Sequence, residues 1–186
     1  MIFLDEIDAD TIRRANARHD KTKKPGGFDG SMTDGEGYLC GLVGEEMVRK
    51  LFNQNGIPVV GRGTKNFDLI CGDKKVEVKT SRQKGDEVEG YYNVHVEDRS
   101  KRGLDQQDCD VYVFCRVRDD CLKGVILGWA LHWEVYNRSR WKIQKEGEII
   151  GYKVKRPVKA DNYILEVSKL AHVSFLCDYI KHWKCS

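Results

Sequence analysis

The stretch from Asn66 to Ser81, NFDLICGDKKVEVKTS, leaves the chain few ways to fold. At its centre, Gly72-Asp73 is a two-residue turn in which glycine supplies the positive φ that a II′ hairpin needs at its first central position. That turn fixes a register. Counting outward pairs Cys71 with Lys74, Ile70 with Lys75, Leu69 with Val76, Asp68 with Glu77 and Asn66 with Lys79. Alternation then places Phe67, Leu69, Cys71, Val76 and Val78 on an apolar face, and Asn66, Asp68, Lys75, Glu77 and Lys79 on a polar one. Two carboxylates face each other, with Cβ atoms about 5 Å apart, and Lys79 stands two residues further along.

Like charges directly opposite each other cost about 0.2–1 kcal/mol, so something should offset the pair. A divalent cation between the oxygens would do so, because a hard ion such as Mg²⁺ takes one or two carboxylates and keeps several waters. The bland alternative is a solvated sheet face with ordinary alternating charges. Aspartate, then eight residues, then E-x-K on a hairpin resembles the core of the PD-(D/E)XK nuclease superfamily, carried here by Asp68, Glu77 and Lys79. Phe67 stands where that pattern has its proline. The resemblance implies an α/β fold, a restriction-endonuclease-like α-β-α sandwich with a central mixed β-sheet. It also implies a metal site for Mg²⁺, with Mn²⁺ as substitute, held by Asp68 and Glu77, with the Val78 carbonyl as a further ligand.

Upstream, GLVGEEMVRKLFNQNG (41–56) carries Val43, Met47, Val48, Leu51 and Phe52 at helical spacing, and Asn55-Gly56 gives the stop. Glu45 lies about 110° and Glu46 about 150° from the centre of the apolar stripe. Glu45 is therefore expected at the edge of the buried face and Glu46 outward. The resemblance implies that such a helix offers one more carboxylate, Glu45, to the metal; the alternative is an ordinary surface glutamate. A short strand at 57–60 completes the order helix, strand, hairpin. The resemblance covers about residues 41–81, under a quarter of the chain.

The 186 residues suit one domain with a real core, divided here into an N-terminal basic helix or arm with a glycine-rich loop (1–40) and the nuclease-like domain (41–186). Residues 5–20 should be helical, capped by Asp8 or Asp10. Its basic run, including Arg13, Arg14, Lys23 and Lys24, is either a solvated face or a phosphate-contacting arm for DNA. Arg62, Arg82 and Lys84 are further candidate phosphate contacts, the last two in a loop after the motif. A net charge of +3 permits a nucleic-acid partner without demanding one. With 33% charged residues and no long apolar run, a membrane partner is not expected. The acidic start MIFLDEIDAD does not look like a signal peptide. Seven scattered cysteines without C-x-x-C suit reduced thiols, which points to a cytoplasmic location.

Downstream, strands are expected at 90–97, at 110–117 (covered on both faces) and from Ile126. A short helix is expected at 131–137, β-rich texture from Trp141, and a closing helix over 168–183. His95 is a candidate base or ligand, or a strand residue with a local hydrogen bond. The tryptophans are base-stacking platforms or, more simply, core. The chemistry implied is metal-dependent hydrolysis of DNA by Glu45, Asp68, Glu77 and Lys79; the alternative is a catalytically silent DNA-binding protein. A homodimer would suit symmetric cutting and stays open.

Overall fold

Gly72 adopts φ +64, while Asp73 keeps to negative φ, the II′ arrangement expected. The computed structural model describes residues 1–22, 36–60, 67–90, 92–99, 108–137, 139–150, 156–157 and 161–182. The chain starts with strands β1 (Ile2–Phe3) and β2 (Asp5–Glu6) and helices α1 (Ala9–Thr22) and α2 (Glu36–Gln54). Strands β3 (Val59–Val60), β4 (Leu69–Cys71), β5 (Lys74–Gln83), β6 (Glu87–Val88) and β7 (Asn93–Glu97) follow. Then come β8 (Val111–Arg118), β9 (Lys123–Leu131), helix α3 (His132–Val135), β10 (Lys142–Gln144), β11 (Ile149–Ile150), β12 (Arg156–Pro157), β13 (Asn162–Glu166) and α4 (Leu176–His182).

The central sheet is mixed, in the order β2-β9-β8-β5-β4-β3. The β4–β5 hairpin has the register counted from its turn: Leu69 opposite Val76, Ile70 opposite Lys75, Cys71 opposite Lys74. Parallel pairing of β5 with β8 runs from Val76↔Val111 to Gln83↔Arg118, and all other pairs in this sheet are antiparallel. β8 is apolar on both sides because it lies inside the sheet with layers above and below. Val111, Val113 and Cys115 join a core with Val48 and Phe52 of α2 and Leu176 and Ile180 of α4, while Tyr112 and Phe114 join the opposite core.

That opposite layer differs from the expected α-β-α arrangement. It is a second antiparallel sheet, β10-β13-β7, which contributes Val94, Val96, Tyr163 and Leu165, with the single turn α3 beside it. Helices cover one face and strands the other. The closing helix is also shorter than the apolar spacing suggests. Two 3₁₀ turns occupy 167–169 and 173–175, because Ala171 leaves helical geometry to exchange two backbone hydrogen bonds with Trp129, both 3.1 Å.

The N-terminal segment docks against the rest. Asp8 caps α1, accepting from the Thr11 amide at 3.1 Å and the Thr11 hydroxyl at 2.6 Å. Residues 5 and 6, expected in the helix, are instead strand paired with β9. Helix α2 starts at Glu36, earlier than its apolar stripe indicates, and its Cys40, Leu42 and Val43 pack with Ala15 of α1.

Helix α2 meets β5 where glycine permits it. A Cβ on Gly44 would lie 2.0 Å from Thr80 Oγ1 and 3.1 Å from Thr80 Cβ. Gly44→Ala is expected to destabilise the protein by about 1–3 kcal/mol through overpacking, although alanine alone favours a helix over glycine by about 1 kcal/mol. Adding Thr80→Ala should recover most of the loss in urea melts of the four-member set; an undiminished loss in the double variant would show that the helix does not seat on Thr80.

Candidate functional site

The site arises because β5 is longer than its hairpin partner. The ladder ends at Leu69↔Val76, yet β5 continues to Gln83, and among the described residues no strand covers that edge beyond Val76. Backbone donors left on a strand edge need partners when they are buried. Asp68 supplies one. The chain bends there, the Asp68 amide donates to the Val76 carbonyl at 2.9 Å, and Asp68 Oδ2 accepts the Val78 amide proton at 2.8 Å. Asp68 is thus not the directly opposed ladder partner of Glu77 that strict alternation gives; its carboxylate reaches over the strand end. The same bend moves Phe67 off the Leu69 face and into the core containing Tyr112.

Glu77 and Lys79 lie in register with Tyr112 and Phe114 of β8 and share their side of the sheet. Glu77 is only 6% exposed, and its Oε1 accepts from Lys79 Nζ at 2.7 Å. Val78 points the other way, into the core under α2 and α4. Glu45 arrives from α2, one residue past the glycine that touches Thr80. It is mostly buried and paired with Arg18 of α1, which also donates to Glu46 Oε1 at 2.8 Å. Glu46 therefore does not look outward. It is 4% exposed, because α1 crosses that side of α2 and Arg49 joins the pair at 3.5 Å.

The carboxylates influence one another. The Asp68 carboxyl is pushed up to about 8 by burial first, then by the charges of Glu77 and Glu45, against the opposing Val78 amide and Lys79. Burial also raises Glu45; Arg18 opposes the rise, and Glu77 and Glu46 add to it. The structure therefore brings Glu45, Asp68, Glu77 and Lys79 within electrostatic reach around one strand edge. Among the described residues, no group of three His, Cys, Asp or Glu side chains stands ready as a metal-ligand set. Each acid has a protein partner instead: Lys79, Arg18 or the Val78 amide.

The proposed phosphate contacts scatter. Arg13 and Arg14 are exposed and both pair with Asp10 on their own helix. Arg82 belongs to β5 rather than to a loop, exposed and 3.9 Å from Asp119. Lys84 follows at the bend and is exposed. Lys23, Lys24 and Arg62 lie outside the described residues. His95 sits in β7, beyond the central sheet, where burial and the Arg116 charge lower its proton affinity. Trp129 and Trp141 are core, whereas Trp133 is 64% exposed.

Two contributors were not singled out from sequence. Arg18 was one cation in a basic run, and nothing local marks it as the partner of two glutamates in another helix. The Thr80 hydroxyl, buried beside Gly44 without a hydrogen-bond partner among the described residues, gives no sequence signal at all. Among the described residues no helix is long and apolar enough to cross a membrane. Comparison of the chain with protein families, with curated proteins and with solved structures finds no match, so function has to be read from these side chains.

The raised Asp68 carboxyl has a thermodynamic signature. Between its ordinary value of 3.8 and about 8 the folded chain holds a proton that the unfolded chain has released. Metal-free stability should therefore fall as pH rises across that window. Asp68→Asn removes the charge and should flatten this dependence, matching the parent below pH 4 and exceeding it at pH 9 by about 1 kcal/mol or more, or about 2–4 °C in Tm. Thermal melts in EDTA from pH 4 to 9 measure it, and parallel pH profiles for the two proteins would contradict the assignment.

Proposed function

We propose that the chain is a Mg²⁺-dependent endodeoxyribonuclease that hydrolyses DNA phosphodiester bonds at the edge of β5 beyond Val76. The observation that carries this reading is the convergence of three acids and a lysine there, with Asp68 raised by burial and like charge. Carboxylates with hard oxygen donors suit Mg²⁺ or Mn²⁺, and a cation would offset the burial and like charge that now favour the Asp68 proton. Asp68 and Glu77 would hold the ion, with Glu45 and the Val78 carbonyl as further ligands. When bound, it would polarise a phosphoryl oxygen and make a bound water more acidic.

The chain's own groups supply the rest. Asp68 must give up its proton, and Glu77 must exchange its 2.7 Å bond to Lys79 for the new role. The freed Lys79 ammonium can then orient the attacking water and meet the negative charge that develops as one P–O bond forms and another breaks. Arg82 and Lys84, exposed along and just past the same strand, would serve as cations for phosphates flanking the cut. Two copies about a two-fold axis would address opposite strands.

A second reading, a catalytically silent DNA-binding protein, is favoured by the closed Glu77–Lys79 pair and by the absence of a ready ligand set among the described residues. Incubation with plasmid, single-stranded and branched DNA in Mg²⁺, Mn²⁺ or EDTA separates the two. The nuclease reading expects metal-dependent nicking that falls at least about 100-fold in Asp68→Asn and in Lys79→Ala, with DNA affinity largely retained. Binding without cleavage in any metal would favour the silent protein, and full activity in either variant would refute this active site.

A further inference from the structure

Away from that edge, Cys40 near the start of α2 and Cys121 in the turn between β8 and β9 stand with Sγ atoms 3.0 Å apart, although 81 residues separate them in sequence. They are 1% and 5% exposed, in a small core with Ala15, Val43 and Val117. Among the described residues no other pair of cysteines has sulfurs in such contact.

The backbone at Cys121 is unusual as well. Its φ is +61, which makes it the non-glycine residue in the left-handed region among those described. A tight turn normally fills such a position with Gly, Asn or Asp. Here the turn closes with the Cys121 amide donating to the Arg118 carbonyl at 2.8 Å and the Leu122 amide donating to Asp120 Oδ1 at 3.0 Å. A side chain in a strained conformation, aimed at a second thiol, calls for a reason beyond turn formation.

We propose that Cys40 and Cys121 are a site of reversible disulfide formation that fastens the start of α2 to the β8–β9 turn. Closing the sulfurs to a bond of about 2.05 Å takes a movement of about 1 Å, which a surface turn can supply. Asp119, Asp120 and Leu122 around Cys121 are exposed, so opening this turn admits a small oxidant without unfolding the sheet. The contact between the two sulfurs favours the thiolate of Cys121 and keeps Cys40 as the protonated resolving thiol, with burial adding to the rise at Cys40.

The exchange balances with a small-molecule disulfide such as oxidised glutathione. The Cys121 thiolate attacks one of its sulfurs, forming a mixed disulfide and releasing one thiolate. Cys40 loses its proton to solvent and attacks the Cys121 sulfur, forming the internal bond and expelling the second thiolate. The protein gives up two protons and two electrons, and one small-molecule disulfide becomes two thiols. The ring so closed contains β3 through β8, and the tie lies five residues before Glu45. The inference stands whether or not the chain cuts DNA.

The full-length protein is equilibrated with oxidised glutathione or with dithiothreitol, denatured in an alkylating agent and analysed by mass spectrometry. Oxidation should leave two fewer of the seven cysteines alkylated, and digestion should release a peptide pair joined at Cys40 and Cys121. Tm should rise on the order of 5 °C or more and return on reduction. Cys40→Ser and Cys121→Gly, the latter at ease with positive φ, should both lose the cross-link and the shift. Identical alkylation in both conditions, a bond between other cysteines, or a mixed disulfide that stops at Cys121 would each overturn the proposal.

Discussion

The structure depends on how the edge of β5 beyond Val76, against which no strand lies among the described residues, is satisfied. β5 is bonded to β8 along one side as far as Gln83, while its hairpin partner stops opposite Val76. Amide groups on such an edge must find partners or stay in water, and a protein that leaves them exposed invites pairing with another chain. Here the carboxylate of Asp68 takes the Val78 amide, and the glycine of α2 lets a helix close against Thr80. Both devices draw acids toward the same place. Satisfying the backbone and gathering the carboxylates are one event, and the rise of the Asp68 carboxyl to about 8 is its electrostatic consequence.

Helix α1 makes the gathering tolerable. A buried carboxylate without a partner is strongly destabilising, whereas one paired and hydrogen-bonded is nearly neutral. Arg18 reaches two glutamates of α2 at once, and its guanidinium, flat and always charged, suits that fork. Asp8 holds the other end of the helix through Thr11 and Lys50, which keep its carboxyl well below the usual range. A segment whose basic residues suggested a phosphate-seeking arm thus spends one of its central cations on the protein's own acids.

What could be seen in the sequence divides along physical lines. The Gly72-Asp73 turn and the three residue pairs it sets are local, governed by φ at one glycine and by side-chain alternation, and they were legible. So was the all-apolar β8, because burial on both faces leaves a compositional mark. The bend at Asp68 was not, since alternation has no term for a side chain that takes over a backbone hydrogen bond; for that reason Phe67 changed faces. Glu46 was misplaced because an amphipathic stripe describes a helix against one layer, and α2 packs against two. The second sheet, which replaces the expected helical layer, rests on pairings such as Tyr163 with Val96, distant in sequence and invisible to any window. Resemblance in one hairpin carried information about that hairpin and little about what lies across the sheet.

The balance between the two functional readings turns on what the acids do for the fold. The Val78 amide could be satisfied by a neutral asparagine as well as by Asp68, and a neutral glutamine at position 45 would not need the Arg18 charge. Each acid therefore adds repulsion or desolvation that the fold does not require, and such departures from local consistency concentrate where a chain does chemistry. A protein that only bound DNA would be better served by replacing them, because phosphate is repelled by every carboxylate near it. The Glu77–Lys79 bond can be read as a closed pair, but it also holds the ammonium beside the place where phosphate charge would develop. If Glu77 and Asp68 held a cation, Glu77 would no longer need Lys79, whose ammonium would then be free to meet phosphate charge, a coupling that neither residue would show alone.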